Sequence, residues 1–190
     1  MALLSIREIA DIAIMTAALG FIFSGMFQSY SRKHDYDPLT HYRSGFDWEA
    51  FRFAAYVTAP AIILHEFGHK FVAMAFGVSA VFHAAYTWLA IGVVMKLLSF
   101  PFIFFVPAFV THASVGALAD SLIAFSGPAV NLVLWLGAWL IHRQGLMDKR
   151  YGNGLLLTAK INMLLFIFNM LPIPGFDGFR FFLGLVGAFL

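Results

Sequence analysis

Residues 61–76 read AIILHEFGHKFVAMAF. Two histidines and a glutamate stand inside a run that is otherwise apolar. Ionisable groups are costly in hydrocarbon and mark function where they occur. HEFGH is an instance of H-E-x-x-H. His65 and His69 are four apart, so on a helix they share one face and can hold one zinc ion. Glu66 lies beside that face and can reach a water on the metal as general base. The bland alternative is a pair of hydrogen-bonding histidines with a buried acid between helices.

The rest of the chain says what surrounds this helix. Of 190 residues, 61% are hydrophobic and only 12% are charged, with a mean hydropathy of +0.83. A soluble domain is about half apolar and a quarter charged. The composition is that of a single multi-pass membrane domain covering 1–190, in contact with the lipid bilayer. Net charge is +2 and the basic residues form no long run, which argues against a nucleic-acid partner. There is no cysteine, so disulfides and thiolate metal sites are excluded.

A helix needs about 20 apolar residues to cross a bilayer core. Spans are expected over 8–28, 50–76, 119–141 and 154–171. The first carries Arg7, Glu8 and Asp11 and reads as a retained transmembrane helix, not a signal peptide. A polar stretch with Pro38 and Gly45 separates the first two. Pro60 either kinks the second or marks where its helix begins. Region 78–118 is apolar but broken by Lys96, Pro101 and Pro107, and reads as a span or as a re-entrant segment buried in protein. The tail 179–190 is too short for a span. The expected fold is an all-α, multi-pass transmembrane helix bundle of about five or six spans.

A catalytic zinc needs a third protein ligand. Glu occurs only at 8, 49 and 66, so no downstream glutamate can serve. His83, His112, His142, Asp120, Asp148 and Asp177 remain. Asp177 is the best placed of these. It follows an apolar helix in NMLPIPGFDG, where Pro172 and Pro174 stop the helix and Gly175 and Gly178 permit a tight bend. Its plain alternative is an Asp-Gly turn capping the final helix. Asp120 reads as a helix cap and Asp148 as a solvated ion pair. His83 and His112 read as satisfied or interfacial, the alternative being that they approach or gate the metal, and His34 and His41 read as solvated. Lys160 either snorkels or faces the bundle interior.

HEFGH, SGPAVNL (126–132) and NMLPIPGFDG (169–178), in this order, resemble the site-2 protease family of intramembrane zinc metalloproteases. The resemblance covers about 50–180, the family's three-helix catalytic core. It implies one zinc ion held by His65, His69 and Asp177, with Glu66 activating water. It suggests a substrate-binding role for Asn131, whose plain alternative is interhelical glue. Asn169 is expected to steady the bend before Asp177. Gly127 and Pro128 look like the start of their helix. The implied substrate is a single-span transmembrane protein, cleaved in or near its span, and the implied location is a prokaryotic cell membrane. The rival reading is a membrane metal-ion transporter or binding protein using the same His/His/Asp site. Glu66 separates the two, because a transport site needs ligands but no general base beside them.

Overall fold

Asp47 opens the helix that carries the histidine pair: its Oδ1 accepts the Ala50 N–H at 2.9 Å. The computed structural model describes residues 3–31, 46–100, 106–148 and 151–190. Their elements in chain order are α1 (Ile6–Ser31), α2 (Trp48–Ala75), β1 (Ala80–Ala84), α3 (Tyr86–Leu97), β2 (Ala108–His112), α4 (Ala117–Gln144), α5 (Gly152–Asn169) and α6 (Asp177–Phe189). The four expected spans coincide with α1, α2, α4 and α5 to within three residues at each end. Arg32, Lys33, His34, Pro38, His41, Arg43, Gly45 and Pro101 lie outside the described residues.

Two helices, Ile6–Phe27 within α1 and Ala117–Gln144, are long and apolar enough to cross a membrane by length and composition. The 12 residues of α3 and 13 of α6 are too short for a hydrocarbon core of about 30 Å. Helix α2 runs unbroken through Pro60, so the proline does not begin it. Helix α4 starts at Ala117, which places Gly127 and Pro128 mid-helix and not at its start. Lys160 is exposed on α5 and does not face the interior.

Region 78–118 corrects the all-α expectation. It folds as strand, short helix, strand, and no single helix spans it. Strands β1 and β2 pair antiparallel, with Phe82 opposite Val110 and Ala84 opposite Ala108. The runs AVFHA and AFVTH are five residues each. Apolar runs that short fit a strand or a buried helical turn equally well, so periodicity could not separate them.

The packing aims the site. Met15 and Leu19 of α1, Ala59 and Ile62 of α2, Phe82 and Ala84 of β1, and Ala108 of β2 share one buried cluster. Helix α2 crosses α4 closely at Gly68, where a Cβ would stand 2.8 Å from Ser126 O. Small residues at a crossing let two backbones approach in this way. Helix α6 docks on the first half of α4. Ser121 Oγ donates to Phe181 O (2.8 Å), and a Cβ on Gly184 would stand 2.7 Å from Ala117 O. Between α5 and α6 the chain turns through Gly175 at φ +101°, in the left-handed region that favours glycine. Gly178 then lies against the Met170 backbone with no room for a Cβ. The outcome is that Asp177, the first residue of α6, points back at α2.

Candidate metal centre

Three side-chain atoms meet where α6 begins. His65 Nε2 and His69 Nε2 are 3.1 Å apart. Asp177 Oδ2 lies 3.1 Å from the first and 3.3 Å from the second. Both imidazoles are buried and Asp177 is partly so. Among the described residues no other group of His, Asp and Glu converges on a point in this way.

The protons decide what the arrangement is for. His69 Nδ1 lies 2.7 Å from Ile123 O, a carbonyl that can only accept, so Nδ1 carries the hydrogen. His65 Nδ1 lies 2.6 Å from Asn131 Oδ1. The Asn131 amide is oriented by its own donations, from Nδ2 to Ala61 O (3.1 Å) and to Asn162 Oδ1 (2.9 Å). It therefore offers His65 an acceptor, and His65 Nδ1 is also the protonated nitrogen. In the neutral rings each Nε2 is then a bare lone pair. Two lone pairs and a carboxylate oxygen facing one another form a donor set that could hold a cation.

The spacing fits zinc. Donors at about 2.0–2.1 Å around a tetrahedral ion stand about 3.3 Å from one another. The observed separations of 3.1–3.3 Å are those that three such donors would have. The helix opposite is shaped to the same end. A Cβ on Gly127 would stand 2.7 Å from His65 Nε2 and closer still to His69 Nε2. Only glycine leaves room there for the imidazole pair.

A cavity of about 660 Å³ opens from the centre. His65, Glu66, His69 and Asp177 line it, together with Asn169 and residues 106–110 and 112 around β2. Glu66 is buried, 6% exposed. It borders the cavity beside the histidines. Asn169, the last residue of α5, also forms part of the wall. Asn131 does not: it is fully buried behind His65.

The other acids and histidines of the sequence stand elsewhere. His83 bonds Thr111 Oγ1 (2.9 Å) on the sheet. His142 and Asp148 are exposed at the end of α4 and just beyond it. Asp120 lies in the first turn of α4, whose cap is Gly116, and it accepts from Arg180 Nη2 at 2.5 Å. Arg180 also donates to His112 Nε2 (3.1 Å), and both Arg180 and His112 line the cavity. Two contributors went unread in the sequence: Ile123, which acts through its backbone, and Asn162, an amide inside an apolar span that supports Asn131. Gly127, read as part of a helix start, acts by lacking a side chain.

Losing the Asn131 amide should loosen the site without destroying it. Asn131→Leu frees the His65 ring to turn and should weaken zinc binding by about 10–100-fold, the usual effect of removing a partner behind a ligand. Zinc competition titration measures this.

No family model matches the chain, and no solved structure matches it. Two curated proteins are similar to it. "Putative zinc metalloprotease MJ0611" of Methanocaldococcus jannaschii is 31% identical over 182 residues, covering 90% of this chain and 81% of that protein. "Putative zinc metalloprotease YwhC" of Bacillus subtilis is 36% identical over 72 residues, a third of each chain. With nine-tenths of its length matched in the first of them, and with a histidine pair and an aspartate converging at zinc spacing, this chain belongs to a zinc metalloprotease family.

Proposed function

We propose that the chain is an intramembrane zinc metalloprotease of the site-2 protease type. It hydrolyses a peptide bond in or near the span of a single-span membrane protein, from a multi-pass position in the bilayer. The observation that carries the reading is the triangle of His65, His69 and Asp177 with Glu66 beside it, set among apolar helices. Zinc, when bound there, supplies Lewis acidity toward the scissile carbonyl and lowers the pKa of a water to about 7. His65, His69 and Asp177 hold the ion. Asn131 and the Ile123 carbonyl keep both rings turned with Nε2 inward. Glu66 takes a proton from the attacking water and passes it to the leaving nitrogen as the C–N bond breaks. Metal transport would give Glu66 no task.

A transmembrane helix hides its carbonyls in its own hydrogen bonds, so the substrate has to unwind before it is cut. Gly or Pro in the substrate lowers that cost. The sheet offers the unwound segment new partners. Ala85 N donates to Pro107 O (3.0 Å), which fixes the phase of the ladder. Val81–Thr111 and His83–Phe109 are then the bonded pairs, and Ala108, Val110 and His112 turn their N–H and C=O groups outward. These are residues of the cavity wall. An extended substrate aligned on that edge of β2 lies beside the metal centre. His112 and Arg180, the latter paired with Asp120, add polar groups to the cavity wall that could admit water.

The test is zinc content together with cleavage of a panel of single-span proteins, for wild type and Glu66→Gln. The variant keeps its zinc and loses cleavage by at least about 10²–10⁴-fold, the share of a general base. Cleavage that persists in Glu66→Gln across the panel rules out the mechanism.

A further inference from the structure

Helix α1 lies outside the metal centre, yet two of its carboxylates are buried: Glu8 is 3% and Asp11 is 2% exposed. They are three apart, on one face of the helix. Both are spent on β1. Glu8 Oε1 accepts the Phe82 N–H at 2.8 Å, and Asp11 Oδ2 accepts the Ala84 N–H at 3.3 Å. Phe82 and Ala84, like Ala80, are β1 residues whose backbone groups point away from β2. The two carboxylates thus occupy the place of a neighbouring strand. Each is itself held. Glu8 Oε2 accepts from Ser5 N (2.8 Å) while Ser5 Oγ accepts from Glu8 N (3.2 Å), a capping box at the start of α1. Asp11 also accepts from the Tyr86 hydroxyl. Glu8 Oε1 in addition pairs with Lys70, a buried side chain directly after His69.

One carboxylate therefore ties the sheet to the helix that carries the metal ligands. The sheet has two outer edges, and α1 closes one of them. The other, on β2, borders the cavity. We infer that Glu8 and Asp11 are positioning residues for cleavage: they close the β1 edge to strand addition and set the β2 edge at its working distance from His65 and His69. This rests on the protease reading above, with the substrate extended along β2.

The obvious variant, Glu8→Ala, strands a buried Lys70 charge and risks unfolding. Two double variants of the full chain avoid this. Glu8→Gln/Lys70→Met removes the ion pair but keeps an acceptor for the Phe82 N–H. Glu8→Met/Lys70→Met removes the acceptor as well, at similar side-chain volume. The probe is a peptide of about 20 apolar residues with a central Gly-Pro. Readouts are zinc content, KM and kcat, and amide exchange over 80–84 and 108–112.

Both variants should keep wild-type zinc. The Gln variant should resemble wild type. The Met variant should show faster exchange over 80–84 and a KM raised roughly tenfold, the worth of one buried hydrogen bond, with kcat little changed. Identical KM and exchange in the two variants overturns the inference, and so does a Met variant that loses zinc and kcat together, which marks a merely structural role. If wild type cleaves nothing, the protease reading fails, and exchange still decides the positioning role. With the Glu66→Gln background and the peptide added, new protection over 108–112 has to appear in the Gln variant and be weaker in the Met variant. Equal protection in both sinks the proposal.

Discussion

Asp177→Asn should strip the protein of zinc while leaving it folded. The substitution keeps the shape of the side chain and removes its charge, and a neutral amide oxygen is a poor partner for a divalent ion. The amide can also turn its Nδ2 toward the two imidazoles. Its hydrogens would then satisfy both Nε2 lone pairs, which lie 3.1 and 3.3 Å from the carboxylate oxygen that Asn replaces. The site closes on itself as a hydrogen-bonded cluster and no longer calls for a cation. Helix α6 has no reason to leave, since the Ser121–Phe181 bond and the contact at Gly184 are untouched. The loss in zinc affinity should exceed the roughly 10–100-fold that an outer partner is worth, and cleavage should fall to background. Metal analysis after gel filtration, with circular dichroism to follow the helices, checks this. The contrast with Glu66→Gln is the point: one variant loses metal and activity, the other only activity. Full zinc occupancy in Asp177→Asn would remove the aspartate from the coordination proposed here.

How much of this was legible before the structure depends on where each residue's information resides. The histidine pair is local: spacing on one helix places both rings on one face, and that needs no fold. Asp177 was legible through its punctuation, because prolines and glycines announce a turn even when they do not say where it leads. The direction of that turn is set by α6 docking on α4 through Ser121 and Gly184, and no local pattern encodes such a contact. Asn131 was visible as a polar residue in an apolar helix. Its geometry, accepting from His65 behind the site and not lining the cavity, depends on which way α4 is rotated. The strands were hidden because in so apolar a chain the alternation that marks a half-buried strand is erased. Glu8 and Asp11 were read as part of a helix's charge pattern. Their partners, backbone amides more than 70 residues away, could not be named from the sequence.

Gly127→Ala should abolish zinc binding, by reversing the ordinary sign of its substitution. Gly127 lies in the interior of α4. Replacing an interior helical glycine with alanine normally stabilises, by up to about 1 kcal/mol, because glycine gives up more backbone freedom on folding. Gly137 on the same helix shows that normal case: nothing lies within 4 Å of where its Cβ would be. At Gly127 the added carbon would overlap His69 and stand 2.7 Å from His65 Nε2, the imidazoles proposed to hold the ion. Those rings cannot simply swing aside. His69 is held by the Ile123 carbonyl and His65 by Asn131, each through a short hydrogen bond. Parting α2 from α4 would cost the Asn131–Ala61 hydrogen bond and the close packing of Gly68 on Ser126. Relief has to come from turning at least one imidazole out of its hydrogen bond, and that breaks the triangle. Gly137→Ala should keep full zinc with equal or greater thermal stability, while Gly127→Ala loses the metal and with it all cleavage. Because both changes add one methyl to one helix, a shared loss of zinc would mean that general repacking of α4 governs the site. A loss confined to Gly127→Ala ties the glycine to the imidazole pair it faces.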